Sequence, residues 1–116
     1  MKLDRNVTGQ NKYWLIKNRH LQALLANPVT SPEMETRMGD LRAAIQTLEQ
    51  HGLIERGEPE TENEFFVIKL RDAFAEGALI HYSHTAMIAG EQEYARDVID
   101  LSYRSGQHSA FCKRPD

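Results

Sequence analysis

The side chains best suited to chemistry sit mostly in the second half of the chain. His81 and His84 are three residues apart, a spacing that puts both imidazoles on one face of a helix, where they could share a metal ion. His108 and Cys112, four apart, could complete the four convergent ligands of a tetrahedral zinc site. No Cys-x-x-Cys accompanies them, and exposed histidines are common on helices, so no metal ligand is assigned. Cys112 could act as a nucleophile only as a thiolate, and His108 is its one nearby base in sequence. A short C-terminal stretch is a poor scaffold for that task, and an inert thiol beside a packed Phe111 is the simpler expectation. Glu58, Glu60, Glu62 and Glu64 alternate with polar residues, so nothing apolar is present to raise a carboxyl pKa. The seven glycines are isolated and show none of the spacings of phosphate-binding loops. No catalytic residue and no cofactor is assigned, and the chain is expected to bind rather than to catalyse.

The residues that could bind a ligand come in two similar sets. Tyr-Trp-Leu-Ile-Lys-Asn-Arg at Tyr13–Arg19 matches Phe-Phe-Val-Ile-Lys-Leu-Arg at Phe65–Arg71 in type at nearly every place. Tyr13, Trp14, Phe65 or Phe66 could stack on a base, and Lys17, Arg19, Lys69 and Arg71 could neutralise an anionic nucleotide if the two segments paired. The competing reading is that these cations stay in water while their stems cover apolar surface.

The elements that would hold these residues follow from local signals. Met1–Asn11 reads as a polar arm. Lys12–Lys17 and Glu64–Leu70 are rich in aromatic and branched side chains and are predicted as buried strands of one small sheet. Leu21, Leu24 and Leu25 suit a short helix that Asn27 and Pro28 stop. Ser31, Pro32, Glu33 and Glu35 are a helix start: a capping hydroxyl, a proline in the first turn, and carboxylates at the positive end of the dipole. Met34, Met38, Leu41, Ile45 and Leu48 continue it as one stripe that Gly52 ends. Gly57–Asn63 is a loop or wing. Asp72 can cap a helix carrying Phe74, Ala78, Leu79, Tyr82, Ala86 and Ala89 up to Gly90. Tyr94, Val98, Leu101 and Ile99 mark another up to Gly106, and residues 107–116 form a tail.

Composition bounds the reading. A chain of 116 residues with 41% hydrophobic and 27% charged residues suits one globular domain. Its single cysteine and its start, MKLDRN, without a secretory leader, point to the cytoplasm. No apolar run approaches the roughly 20 residues that cross a bilayer, so no membrane partner is expected. The formal charge of −3, with scattered cations, offers no general attraction for phosphate backbones.

Two resemblances add to this. Leu41–Gly57, LRAAIQTLEQHGLIERG, resembles the recognition helix and following strand of winged-helix transcription regulators. That likeness implies DNA contacts from Arg37, Arg42 and Arg56, although the acidic wing EPETENE would repel the backbone. KYWLIKNRHL, EFFVIKLRDAFA, EYARDVIDL and SAFCKRPD together resemble small accessory proteins of tailed bacteriophages and prophages, over most of the chain. The chain departs from that style at Trp14 and around His81–His84, and the resemblance carries no functional residue. It implies an anti-defence or inhibitory protein in the host cytoplasm that sequesters a host or defence-system protein, or a signalling nucleotide.

The expectation is therefore an α+β domain with a small sheet of two or three strands packed on about three helices, with a winged-helix arrangement as its variant. Its function is stoichiometric binding, with DNA-binding regulation as the alternative. The stripe from Met34 to Leu48 also has the spacing of a two-helix seam, so a homo-oligomer is a further option.

Overall fold

The computed structural model describes residues 13–115; the polar arm expected at Met1–Asn11, with Lys12 and Asp116, lies outside the described residues. Helices account for 54% of the described residues, and none of these residues is in a strand. Over the described residues the fold is all-α, which corrects the α+β expectation and its winged-helix variant. The described residues form four helices, α1 (Asn18–Ala26), α2 (Pro32–Gln50), α3 (Ala75–Ile88) and α4 (Gln92–Ser102), followed by a single 3₁₀ turn at Gly106–His108. None of the four is long and apolar enough to cross a membrane.

The physical reason for the missing sheet is visible in the two segments meant to form it. Glu64–Leu70 and the described part of Lys12–Lys17 have the side chains of strands, but a strand needs a partner's backbone as well as its own propensity. Among the described residues neither segment has a ladder. The one bridge is an isolated parallel contact between Asp72 and Lys113.

The chain divides into two compact units. One spans Leu15–Phe65 and holds α1 and α2. Local chemistry explains both ends of α2. Ser31 Oγ accepts the Met34 N–H at 3.1 Å, Pro32 fills the first turn, and Glu33 and Glu35 face the helix N-terminus. At the other end Gly52 takes φ +69°, its N–H donates to the Glu49 carbonyl at 3.0 Å, and the Leu53 N–H donates to Leu48 at 2.9 Å. These are the paired bonds of a Schellman cap. No residue of α1 or α2 is buried.

The other unit contains the described residues 13–14 and 66–115. Its core lies between α3 and α4, where Val98 and Leu101 are buried together with the small side chains of Ala75, Ser83, Ala95 and Ser102. Small residues let two helix backbones approach closely, and a buried serine must then find an acceptor. Ser83 finds one across the interface, in the Ala95 carbonyl. The apolar face expected on α3 is thus displaced. Phe74 and Tyr82, counted toward that face, are exposed, while Ala75 and Ser83 turn inward.

The C-terminal residues fold back onto the start of α3. Gly106 N–H donates to the Leu70 carbonyl at 2.8 Å, Lys113 N–H to Arg71 at 3.0 Å, and Ala73 N–H to Lys113 at 2.9 Å. The Ala73 bond supplies an acceptor for one of the N–H groups just ahead of α3, whose cap residue Phe74 makes no side-chain capping bond. Asp72 supplies another: its Oδ1 accepts the Phe74 N–H at 2.7 Å.

Candidate functional site

The expected ligand residues are divided between the two units. Tyr13, Trp14, Lys69 and Arg71 belong to one unit, and Lys17, Arg19 and Phe65 to the other. All seven are exposed. The sheet that was to bring the four cations together does not form among the described residues, so the pairing argument for a nucleotide site loses its scaffold. What these positions present is aromatic surface: Trp14 is 92% and Phe66 87% exposed.

The three arginines considered for DNA contact lie in the α1–α2 unit. Arg37 is exposed on α2. Arg42 donates to the Leu25 carbonyl at 3.4 Å, and Arg56 forms an ion pair with Glu49. Arg42, Glu49 and Arg56 rim a cavity of about 260 Å³ whose apolar wall is Leu21, Leu25 and Ile45. Two of the three arginines are therefore engaged within the unit, and the strands of a winged helix do not form around them.

The chemistry-bearing residues are also held apart. Among the described residues no group of three or more His, Cys, Asp or Glu could hold a metal ion. His81 and His84 are exposed on α3. His108, the base that would have to activate Cys112, is instead bonded to Glu76, with Nε2 and Oε1 2.9 Å apart. Cys112 is an exposed thiol, and Phe111 beside it is 76% exposed rather than packed.

Two features of the α3–α4 unit escape sequence reasoning. The first is a pair of phenols: Tyr82 and Tyr94 hydroxyls lie 3.2 Å apart, with their rings edge to face at a centroid distance of 6.0 Å. The Tyr94 hydroxyl is pushed up to about 12 from its ordinary 10.0, by the hydrogen bond to Tyr82, then by burial, then by the charge of a neighbouring phenolate. It remains a neutral hydrogen-bonding group throughout the physiological range. Their separation of twelve residues gives no local signal for the pairing. The second is an apolar cavity of about 220 Å³ lined by Ile68, Leu70, Ala75, Ala78, Leu79 and Tyr82. Its helical part repeats at 75, 78, 79 and 82, a legible spacing, but the contribution of Ile68 and Leu70 depends on how the preceding segment is laid down.

Comparison with protein-family models, curated proteins and solved structures returns no match.

Proposed function

We propose that this chain acts stoichiometrically by capturing a protein partner, in the manner of the phage accessory and anti-defence proteins that its sequence resembles. The observation that carries the reading is the near-complete exposure of Trp14 and Phe66. Large aromatic side chains supply most of the free energy at protein interfaces when they enter a partner's pocket, and a Trp anchor can contribute 2 kcal/mol or more. Isolated exposed hydrophobics are ordinary on any protein. Here Trp14 and Phe66 are neighboured by Tyr13, Leu15, Phe65 and Val67, all of them exposed, so two short runs are apolar at successive positions.

The same features favour a protein over a nucleotide. A nucleotide site is concave and places cations within reach of phosphate. Lys17, Arg19, Lys69 and Arg71 line neither of the two cavities described above. Affinity purification from phage-infected bacteria, reading proteins and released small molecules together, tests the reading. The expected result is one protein in stoichiometric amount that a Trp14→Ala/Phe66→Ala variant fails to retain. A bound nucleotide without any protein, or turnover of a substrate, overturns it.

A further inference from the structure

Phe66, Val67 and Ile68 belong to the run 64–69, which is in no helix, strand or turn. Among the described residues, no hydrogen bond engages a backbone N–H or C=O of these three. The chain on either side is tied down. Glu64 N–H donates to Thr61 at 3.1 Å, and the carbonyls of Lys69, Leu70 and Arg71 accept from Asp72, Gly106 and Lys113 at 3.0, 2.8 and 3.0 Å. A stretch of strand-forming side chains thus lies between a turn and an anchored C-terminal end, with its own peptide groups unbonded. A row of such groups is a template for another strand.

The surroundings say what kind of strand would fit. Ile68 and Leu70 form one wall of the 220 Å³ apolar cavity, which can take a side chain from a neighbouring strand. Lys69 and Arg71 alternate with them, are exposed, and join no ion pair among the described residues. We propose that Phe66–Ile68 is a strand-addition site that takes an extended, acidic segment of a partner protein. Backbone hydrogen bonds hold the segment, one apolar side chain enters the cavity beside Ile68, and carboxylates meet Lys69 and Arg71. A basic segment would gain the backbone bonds but would meet like charge. The inference rests on the protein-capture reading and names the chemistry of the captured segment.

The test uses the full chain and two synthetic peptides, one alternating Val with Glu and one alternating Val with Lys. Residue-resolved amide exchange reports on Phe66, Val67 and Ile68. Successive peptide groups of an extended segment face opposite edges, so the Val/Glu peptide is expected to slow exchange either at Val67 or at Phe66 and Ile68, and to bind roughly tenfold or more tighter than the Val/Lys peptide. Proline at the protected edge, Val67→Pro or Ile68→Pro according to which amides slow, removes a ladder N–H and should abolish the protection, since proline cannot donate to a ladder. Lys69→Glu/Arg71→Glu leaves the backbone intact and should reverse the peptide preference. Equal affinity for both peptides, binding without protection at 66–68, or a preference unmoved by the charge reversal overturns the proposal. Protection that appears without peptide and grows with protein concentration also overturns it, because a second copy is then the occupant. Partner capture in cells that persists in both Val67→Pro and Ile68→Pro defeats this site and leaves the capture reading standing; peptide protection without any captured protein does the reverse.

Discussion

Ser83 on α3 donates its hydroxyl to the Ala95 carbonyl on α4 at 2.6 Å, and both residues are buried. This bond crosses the interface between the two helices, where Ala75 and Ser102 are buried as well. A buried hydroxyl without a partner is costly, while one that is bonded fixes the register of the two helices.

Ser83→Ala is therefore expected to destabilise the chain by about 1 kcal/mol, the net value of one buried hydrogen bond. Ser83→Leu should cost more, about 1–3 kcal/mol, because the added methylenes must displace α4. Urea unfolding of the two variants, followed by circular dichroism, orders them. Equal stability of Ser83→Leu and the parent chain would mean that the interface is loose at this point.

The Tyr82–Tyr94 pair predicts a loss of stability in strong alkali. The folded Tyr94 hydroxyl sits at about 12 against 10.0 for an ordinary tyrosine, so the folded state holds its proton more tightly than the unfolded state. The corresponding stabilisation is fully present below pH 10 and is lost as pH rises through about 12. An absorbance titration at 295 nm should carry a component near pH 12 that Tyr94→Phe removes and Tyr82→Phe moves to lower pH. A curve that is the same in Tyr82→Phe and the parent chain would refute the pairing.

Gly106 predicts how strongly the C-terminal turn is anchored. It is buried at φ +54°, and a Cβ there would lie 3.1 Å from Cβ of Glu76 and 3.4 Å from the Ala73 carbonyl oxygen. Gly106→Ala should cost about 1–2 kcal/mol from the left-handed conformation, with crowding added to it. His108→Ala removes only a part-exposed contact to Glu76 and should cost less than about 1 kcal/mol. Amide exchange at Ala73 and Lys113 should quicken far more in Gly106→Ala than in His108→Ala. The opposite order would place the anchor in the side-chain pair.

Both ends of α2 and the end of α3 were the legible part of this fold. Ser31 with Pro32, and Gly52 with Leu53, mark the two ends of α2, and Gly90 marks the end of α3. Cap chemistry acts over three to six residues, so its evidence is contiguous in the chain. The candidate sites were much less legible. The aromatic and basic residues of Tyr13–Arg19 and Phe65–Arg71 were readable as types, but their convergence required a sheet, and a sheet is a relation between distant segments. The buried face of α3 was hidden for a related reason. Periodicity favours the largest hydrophobics, whereas the closest helix packing buries alanine and serine and leaves Phe74 outside.

The sequence by itself thus determined both ends of α2 and the end of α3, whereas the last helix, expected to run up to Gly106, stops at Ser102. Tertiary structure decided that Phe66–Ile68 remains without a paired strand, that Ser83 rather than Phe74 faces α4, and that His108 bonds Glu76 rather than Cys112. The division has one physical cause. Helix hydrogen bonds close within four residues and are written locally, while strand pairing, side-chain burial and imidazole partners are settled only when distant parts of the chain compete for the same neighbours.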